Sequence, residues 1–214
     1  MELLSLKIVV FGPTGDTGKQ IVAQALEAGY VVSYARDPSK LNISSEHLTV
    51  IQGELSDKVS IENAVKGTDA VLSTLGPRGG SKNKPLTQGT QNIIAAMKNQ
   101  GVRRLIITST LSAKDPKDKP DFKTKAMVNL IKTTMHSAYE DIVNVAETVR
   151  ASDLDWTIVR LAILNNKPKS GKVKTGYVGT GEVGTQISRA DIADFMLKQI
   201  TNLQYMNEAP AISN

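Results

Sequence analysis

Apolar residues along this chain follow two rhythms. Short, nearly unbroken apolar runs occur at Leu6–Phe11, Tyr30–Ala35, Leu48–Gln52, Asp69–Leu75, Arg103–Thr108 and Trp156–Leu161. Runs of this kind predict strands buried on both faces, as in parallel sheets. Between them, apolar positions recur at helical spacing. Ile21, Val22, Ala25 and Leu26 mark a helix over Gly18–Ala28, and Ile93, Ile94 and Met97 mark one over Thr87–Gln100. Ile142, Val145, Ala146 and Val149 mark a helix over Ser137–Ala151, and Arg189–Ile200 reads as the last helix. Ser56 or Asp57 can cap a helix running through Val65, and Gly29, Gly67 and Gly101 supply stops. Asp191 and Asp194 lie in the first turns of the last helix, where the helix dipole favours negative charge. Strand–helix repetition of this sort predicts an α/β fold: one domain over 1–214 with an open, doubly wound, mostly parallel sheet.

Two stretches break the rhythm. Ser112–Lys125, rich in Lys, Asp and Pro, reads as an exposed loop, and Asn165–Gly184 carries five glycines. Both follow strand ends on the side where open α/β sheets bind ligands. The segments 110–136 and 163–188 are therefore expected to shape a substrate pocket.

The first candidate site is the turn Phe11-Gly12-Pro13-Thr14-Gly15-Asp16-Thr17-Gly18, between the first strand and the first helix. Gly12 allows a sharp turn, Gly15 a close approach of backbone N–H groups to a pyrophosphate, and Gly18 tight helix–sheet packing. Thr14 and Thr17 add hydroxyls, so the expected phosphate cradle is Gly12, Thr14, Gly15, Asp16, Thr17 and Gly18. This context between strand and helix is that of the Rossmann-type, NAD(P)-binding fold. The competing phosphate loop fails, because Pro13 and Gln20 stand where it needs Gly and Ser/Thr. The second strand ends at Arg36-Asp37-Pro38, where NAD-binding versions use a carboxylate on the ribose. An arginine suits a 2′-phosphate instead, and Lys40 adds charge, so NADP(H) is expected in preference to NAD(H). Asp37 could cap the following turn or bind a ribose.

Composition narrows the remaining classes. The chain has 214 residues, 40% hydrophobic and 22% charged, without cysteine, which excludes disulfides, thiolate catalysis and cysteine-based zinc sites. The formal charge of +5 suits either a solvated surface or an anionic ligand. Dispersed lysines and an aromatic content of 4% argue against nucleic acid. No apolar run is long enough to span a membrane, and the first residues lack a secretory pattern, so a cytoplasmic protein that uses no membrane is expected.

GPTGDTG, YARDPSKL, GELSD, DAVLSTLGPRGG, RLIITST, AETVRASDLDWTIVR and ISRADIADFML together resemble the atypical short-chain dehydrogenase/reductases. The narrower resemblance is to the NAD(P)H-binding NmrA-like group of the flavin reductase/biliverdin reductase B type. It implies that the turn holds the pyrophosphate, Arg36 the 2′-phosphate, and Glu54 and Leu55 the surroundings of adenine. It also implies that Leu75, Gly76 and Arg78 line the cofactor, with Thr108 and Ser109 near the nicotinamide and Leu161 and Ile163 following strand six. Leu161 replaces the family's usual proline after Arg160.

The wider superfamily pairs a catalytic tyrosine with a lysine four residues on. Here Tyr139 falls at a possible tyrosine position and the lysine position is Val143, so the pair is incomplete. Glu140 and Asp141 beside Tyr139 would raise rather than lower a tyrosine pKa. Ser109 is the better candidate to hydrogen-bond nicotinamide or substrate, with Tyr139 a candidate proton donor and His136 a lesser one. His47 reads as a loop residue, and no metal cluster is apparent. The expected function is an NADPH-dependent oxidoreductase, monomer or homodimer, passing hydride to a small planar acceptor such as a flavin or quinone. The alternative is a non-catalytic NADP(H)-binding redox sensor of the NmrA-like kind. Isomerase or epimerase chemistry needs the full Tyr–Lys pair and is the weakest reading.

Overall fold

The computed structural model describes residues 6–27, 29–77 and 84–214. Chain order begins β1 (Lys7–Phe11), α1 (Asp16–Leu26), β2 (Tyr30–Ala35), β3 (Leu48–Gln52), α2 (Lys58–Val65) and β4 (Ala70–Ser73). It continues α3 (Pro85–Gln100), β5 (Arg104–Thr110), α4 (Phe122–Thr134), α5 (His136–Arg150) and β6 (Asp155–Leu161). It ends β7 (Ile163–Asn165), β8 (Lys174–Gly176), β9 (Gln186–Ser188), α6 (Arg189–Lys198) and β10 (Ala211–Ser213).

Eight strands form a sheet in the order β3-β2-β1-β4-β5-β6-β10-β8, parallel except for β8, which runs antiparallel to β10. β7 and β9 form a small parallel pair. This is the doubly wound Rossmann-type α/β architecture. Strand alternation sends Val9 and Phe11 to one face of the sheet and Ile8 and Val10 to the other. The first face packs on α2, α3 and α5 through Ile61, Ile93, Met97 and Val149. The second packs on α1 and α6 through Ile21, Val22, Ile192 and Met196. Strand order reverses between β1 and β4, which opens a crevice at their carboxyl ends.

Three regions depart from the sequence reading. Ser112–Lys125 is not simply an exposed loop. Arg160 at the end of β6 is fully buried and takes both Asp118 carboxylate oxygens, at 2.6 and 2.8 Å. A buried guanidinium needs a partner, so this pair pins the segment to the sheet. Asp118 also accepts from Val178 N–H at 2.9 Å, and Asp115 accepts from Ala209 N–H at 3.0 Å. The segment then enters α4, capped by Asp121, whose carboxylate accepts from Thr124 N–H at 2.6 Å. Periodicity hid α4 because Val128 is its one buried residue. Finally, β10 and β8 extend the sheet beyond β6 from segments too short to carry a pattern.

Candidate functional site

The crevice at the strand reversal holds an elongated cleft of about 800 Å³, joined to an inner pocket of about 200 Å³ through shared walls at Thr74, Leu75, Gly76, Pro77 and Leu86. The turn after β1 forms one wall of the cleft, with Gly12, Pro13, Thr14 and Gly15 lining it. The three turn glycines have different physical reasons. Gly12 has φ +83°, which side chains disfavour. A Cβ on Gly18 would overlap the Gly12 carbonyl, so α1 packs on its own turn only with glycine there. Gly15 has φ −76° and ψ 160°, open to any residue, and a Cβ there would meet only the Gly12 carbonyl, at 3.7 Å. Neither backbone nor packing demands glycine at Gly15, which faces the cleft.

The amides beside it are also free. The first N–H groups of any helix lack intrahelical partners. Asp57, Asp121 and Ser188 cap α2, α4 and α6. Asp141 of α5 does the same for α3, accepting from Leu86 N–H (3.1 Å), Thr87 N–H (2.9 Å) and the Thr87 hydroxyl (2.6 Å). At α1 no described side chain caps, so its N-terminal donors and positive dipole end are left at the turn.

After β2, Arg36, Asp37 and Lys40 also line the cleft. Asp37 is already engaged: Lys40 lies 2.9 Å away and the Ser39 hydroxyl donates to it at 2.6 Å. The Lys40 and Ser39 bonds hold its carboxyl down at about 2. The Arg36 guanidinium is exposed and has no ion pair among the described residues. Glu54 and Leu55 form the floor nearby. Their loop is fixed from two sides, since the Tyr34 hydroxyl donates to the Glu54 carbonyl at 2.8 Å and Asn92 donates to the Leu55 carbonyl at 2.7 Å. Burial, then Asp57 and Glu54, push the Tyr34 phenol up to about 12, which keeps it a donor.

The inner pocket is walled by Thr17, Thr108, Ser109, Ile142, Val145, Leu161 and Leu164 among others, and none of its lining residues carries a charge. Helix α5 presents Ser137, Ala138 and Asp141 to the cleft and Ile142 and Val145 to the pocket. Tyr139 and Val143 are not among the lining residues of either. Tyr139 lies instead under Lys132 of α4, whose Nζ is 5.8 Å from the ring centroid. The positions four apart that do face the two spaces are Ser137 and Asp141, Ala138 and Ile142, and Asp141 and Val145, none of them a Tyr–Lys pair. Glu140 is drawn off to Lys84 at 3.2 Å and lies 3.2 Å from His136; the Lys84 bond holds its carboxyl low.

Of the other expected residues, Leu75 and Gly76 line both spaces. Asp16 points away to Arg189, at 3.7 Å, and Ile163 is 63% exposed outside both linings. Arg78 lies outside the described residues. Among the described residues no three metal-binding side chains cluster. Sequence reading missed Thr74, which donates to the Gly12 carbonyl at 3.1 Å, and the capping role of Asp141. It read Ile142 and Val145 only as apolar positions marking a helix, and their spacing carries no sign that they face a cavity.

Comparison with known proteins agrees with this geometry. The family model described as NAD(P)H-binding matches residues 12–203. A (4-alkanoyl-5-oxo-2,5-dihydrofuran-3-yl)methyl phosphate reductase from Streptomyces griseus is 28% identical over 153 residues, covering 72% of this chain and 46% of that enzyme. The chain thus spans less than half of that relative's length. A short-chain dehydrogenase/reductase of Veillonella parvula in complex with NADP superposes with a TM-score of 0.78 at 19% identity, covering 98% of this chain and 94% of that one. An anaerobillin reductase from Escherichia coli O157:H7 gives 0.76 at 16% identity, covering 97% and 96%. At these identities the two structures establish the shared fold.

Proposed function

This chain belongs to the NAD(P)H-binding family, and from that premise we propose that it is an NADPH-dependent reductase of a small planar acceptor such as a flavin or quinone. The observation that carries the reading is the lining of the cleft: Arg36, without an ion pair among the described residues, the turn at an α1 N-terminus that no described side chain caps, and a joined pocket with no charged lining residue. Gly15, glycine without an internal reason, fits a turn that a pyrophosphate approaches closely. Gly12, Thr14 and Gly15 would hold that group, with Thr17 beside the inner pocket. Arg36 would pair with a 2′-phosphate; Asp37, held by Lys40, is not available as the ribose carboxylate. Glu54 and Leu55 would flank adenine, and Leu75 and Gly76 would line the passage to the pocket.

NADPH, when bound, supplies a hydride. The chain's own contribution is positional. Ile142, Val145, Leu161 and Leu164 give the inner pocket an apolar wall, which would limit water around a bound acceptor. The Ser109 hydroxyl, 8% exposed at the pocket wall, would donate a hydrogen bond to an acceptor oxygen. Segments 110–136 and 163–188 would shape the entrance, contributing Thr110 and Leu164. With no Tyr–Lys pair facing the site, proton delivery would fall to Ser109 or solvent, which suits acceptors that take hydride readily.

A second reading is favoured by the same α5 face. A site that no Tyr–Lys pair faces among the described residues also suits a redox sensor that binds NADP(H) without turnover. Steady-state oxidation of NADPH with a naphthoquinone and with free flavin separates the two. Turnover with either supports the reductase; tight NADPH binding without turnover across such a panel favours the sensor.

A further inference from the structure

We propose that α4 is a peripheral docking surface for an anionic lipid bilayer. The proposal is independent of the cofactor reading. Val128 is the one buried residue of this thirteen-residue helix. Phe122 is 86% exposed, Leu130 64% and Met135 56%. Phe122, Ala126 and Leu130 are spaced by four, so they form one stripe along the solvent face. Helical spacing puts Lys123 on one flank of the stripe and Lys125 and Lys132 on the other. From Phe122 to Met135 there is no acidic residue.

Charge complementarity selects the occupant. A convex apolar stripe with lysines on both flanks suits the headgroup boundary: apolar side chains enter the acyl layer while ammonium groups stay at the phosphates. Each lysine close to an anionic surface adds to the attraction. A second copy of the chain docked through this face would bring lysine flanks against lysine flanks. No described helix is long and apolar enough to cross a membrane, so the contact is at the surface.

The test is sedimentation of the full chain with phosphatidylcholine vesicles, with and without about three-tenths phosphatidylglycerol. The expected result is retention at least about tenfold greater on the anionic vesicles, falling with added salt. F122S/L130S and K123Q/K125Q should each reduce it about tenfold. All four side chains are exposed, and melting curves check the fold; if the apolar variant fails to fold, the lysine variant decides. Absence of retention on anionic vesicles, or equal retention of both folded variants, overturns the proposal. A concentration-dependent dimer lost in L130S, without vesicle binding, overturns it in favour of a second copy. Retention by immobilised polyglutamate but not by vesicles overturns it in favour of an acidic protein.

Discussion

Gly15 separates ligand from fold at a single residue. Its backbone and surroundings accept a Cβ, while Gly18's do not. Gly15→Ala should therefore keep or raise stability by about 0.4–1 kcal/mol. It should weaken NADPH binding at least about tenfold. Thermal melting together with fluorescence titration reads both, and unchanged affinity would remove the turn from the cofactor site. Gly18→Ala should instead lower the melting temperature. The Asp118–Arg160 pair gives a second test. Burial, the largest single influence, would raise the Asp118 pKa, but Arg160 together with the backbone N–H groups of Asp115 and Val178 outweighs it and holds the carboxyl below its usual value. A carboxyl whose folded pKa is depressed contributes stability fully above its unfolded pKa, about 3.9, and loses it as pH falls through the lower folded value. Asp118→Asn should cost about 3 kcal/mol near neutral pH because it leaves a buried guanidinium without its counter-charge. It should also flatten the acid limb of the stability curve; urea titrations across pH measure both. The turn glycines and Arg36 could be read from sequence because their neighbours in space are their neighbours in the chain. Asp141 and Asp118 could not, since their partners lie 54 and 42 positions away.

At the scale of elements, helix α5 decides the chemistry. Counting from the family resemblance aligned Tyr139 and Val143 with the superfamily's pair, whereas the helix turns Ala138, Asp141, Ile142 and Val145 to the cavities. One residue on a helix is a rotation of about 100°, enough to carry a side chain from a cleft to a flank. Val143→Lys should accordingly leave kcat within about twofold of wild type. A large gain in kcat from that variant alone would mean that Val143 faces the reacting atoms. Strands β1, β2, β4, β5 and β6 are legible because continuous apolar runs are dictated by burial on both faces, whereas β3, at the sheet edge with Val50 40% exposed, shows only a short β-rich run. Helix α4, nearly all of whose surface is exposed, and the three-residue strands β8 and β10 leave no such imprint, because long-range pairing places them.

For the whole molecule, the reversal of strand order between β1 and β4 is what makes one continuous site from distant segments. It brings the β1 turn, the end of β2, the loop after β4 and the inner face of α5 around a single cleft lined by Arg36 and Lys40 and joined to an inner pocket with no charged lining residue. That polarity matches a dinucleotide with a phosphorylated ribose and an uncharged acceptor, and it is the centre of the functional reading. The most direct test is the ratio of kcat/KM for NADPH over NADH, measured with one quinone acceptor for wild type and Arg36→Gln. The account predicts a wild-type ratio above about tenfold, worth about 1.4 kcal/mol, that collapses toward unity in the variant through loss of NADPH efficiency alone. Turnover that favours NADH, or a ratio the variant leaves unchanged, would contradict it.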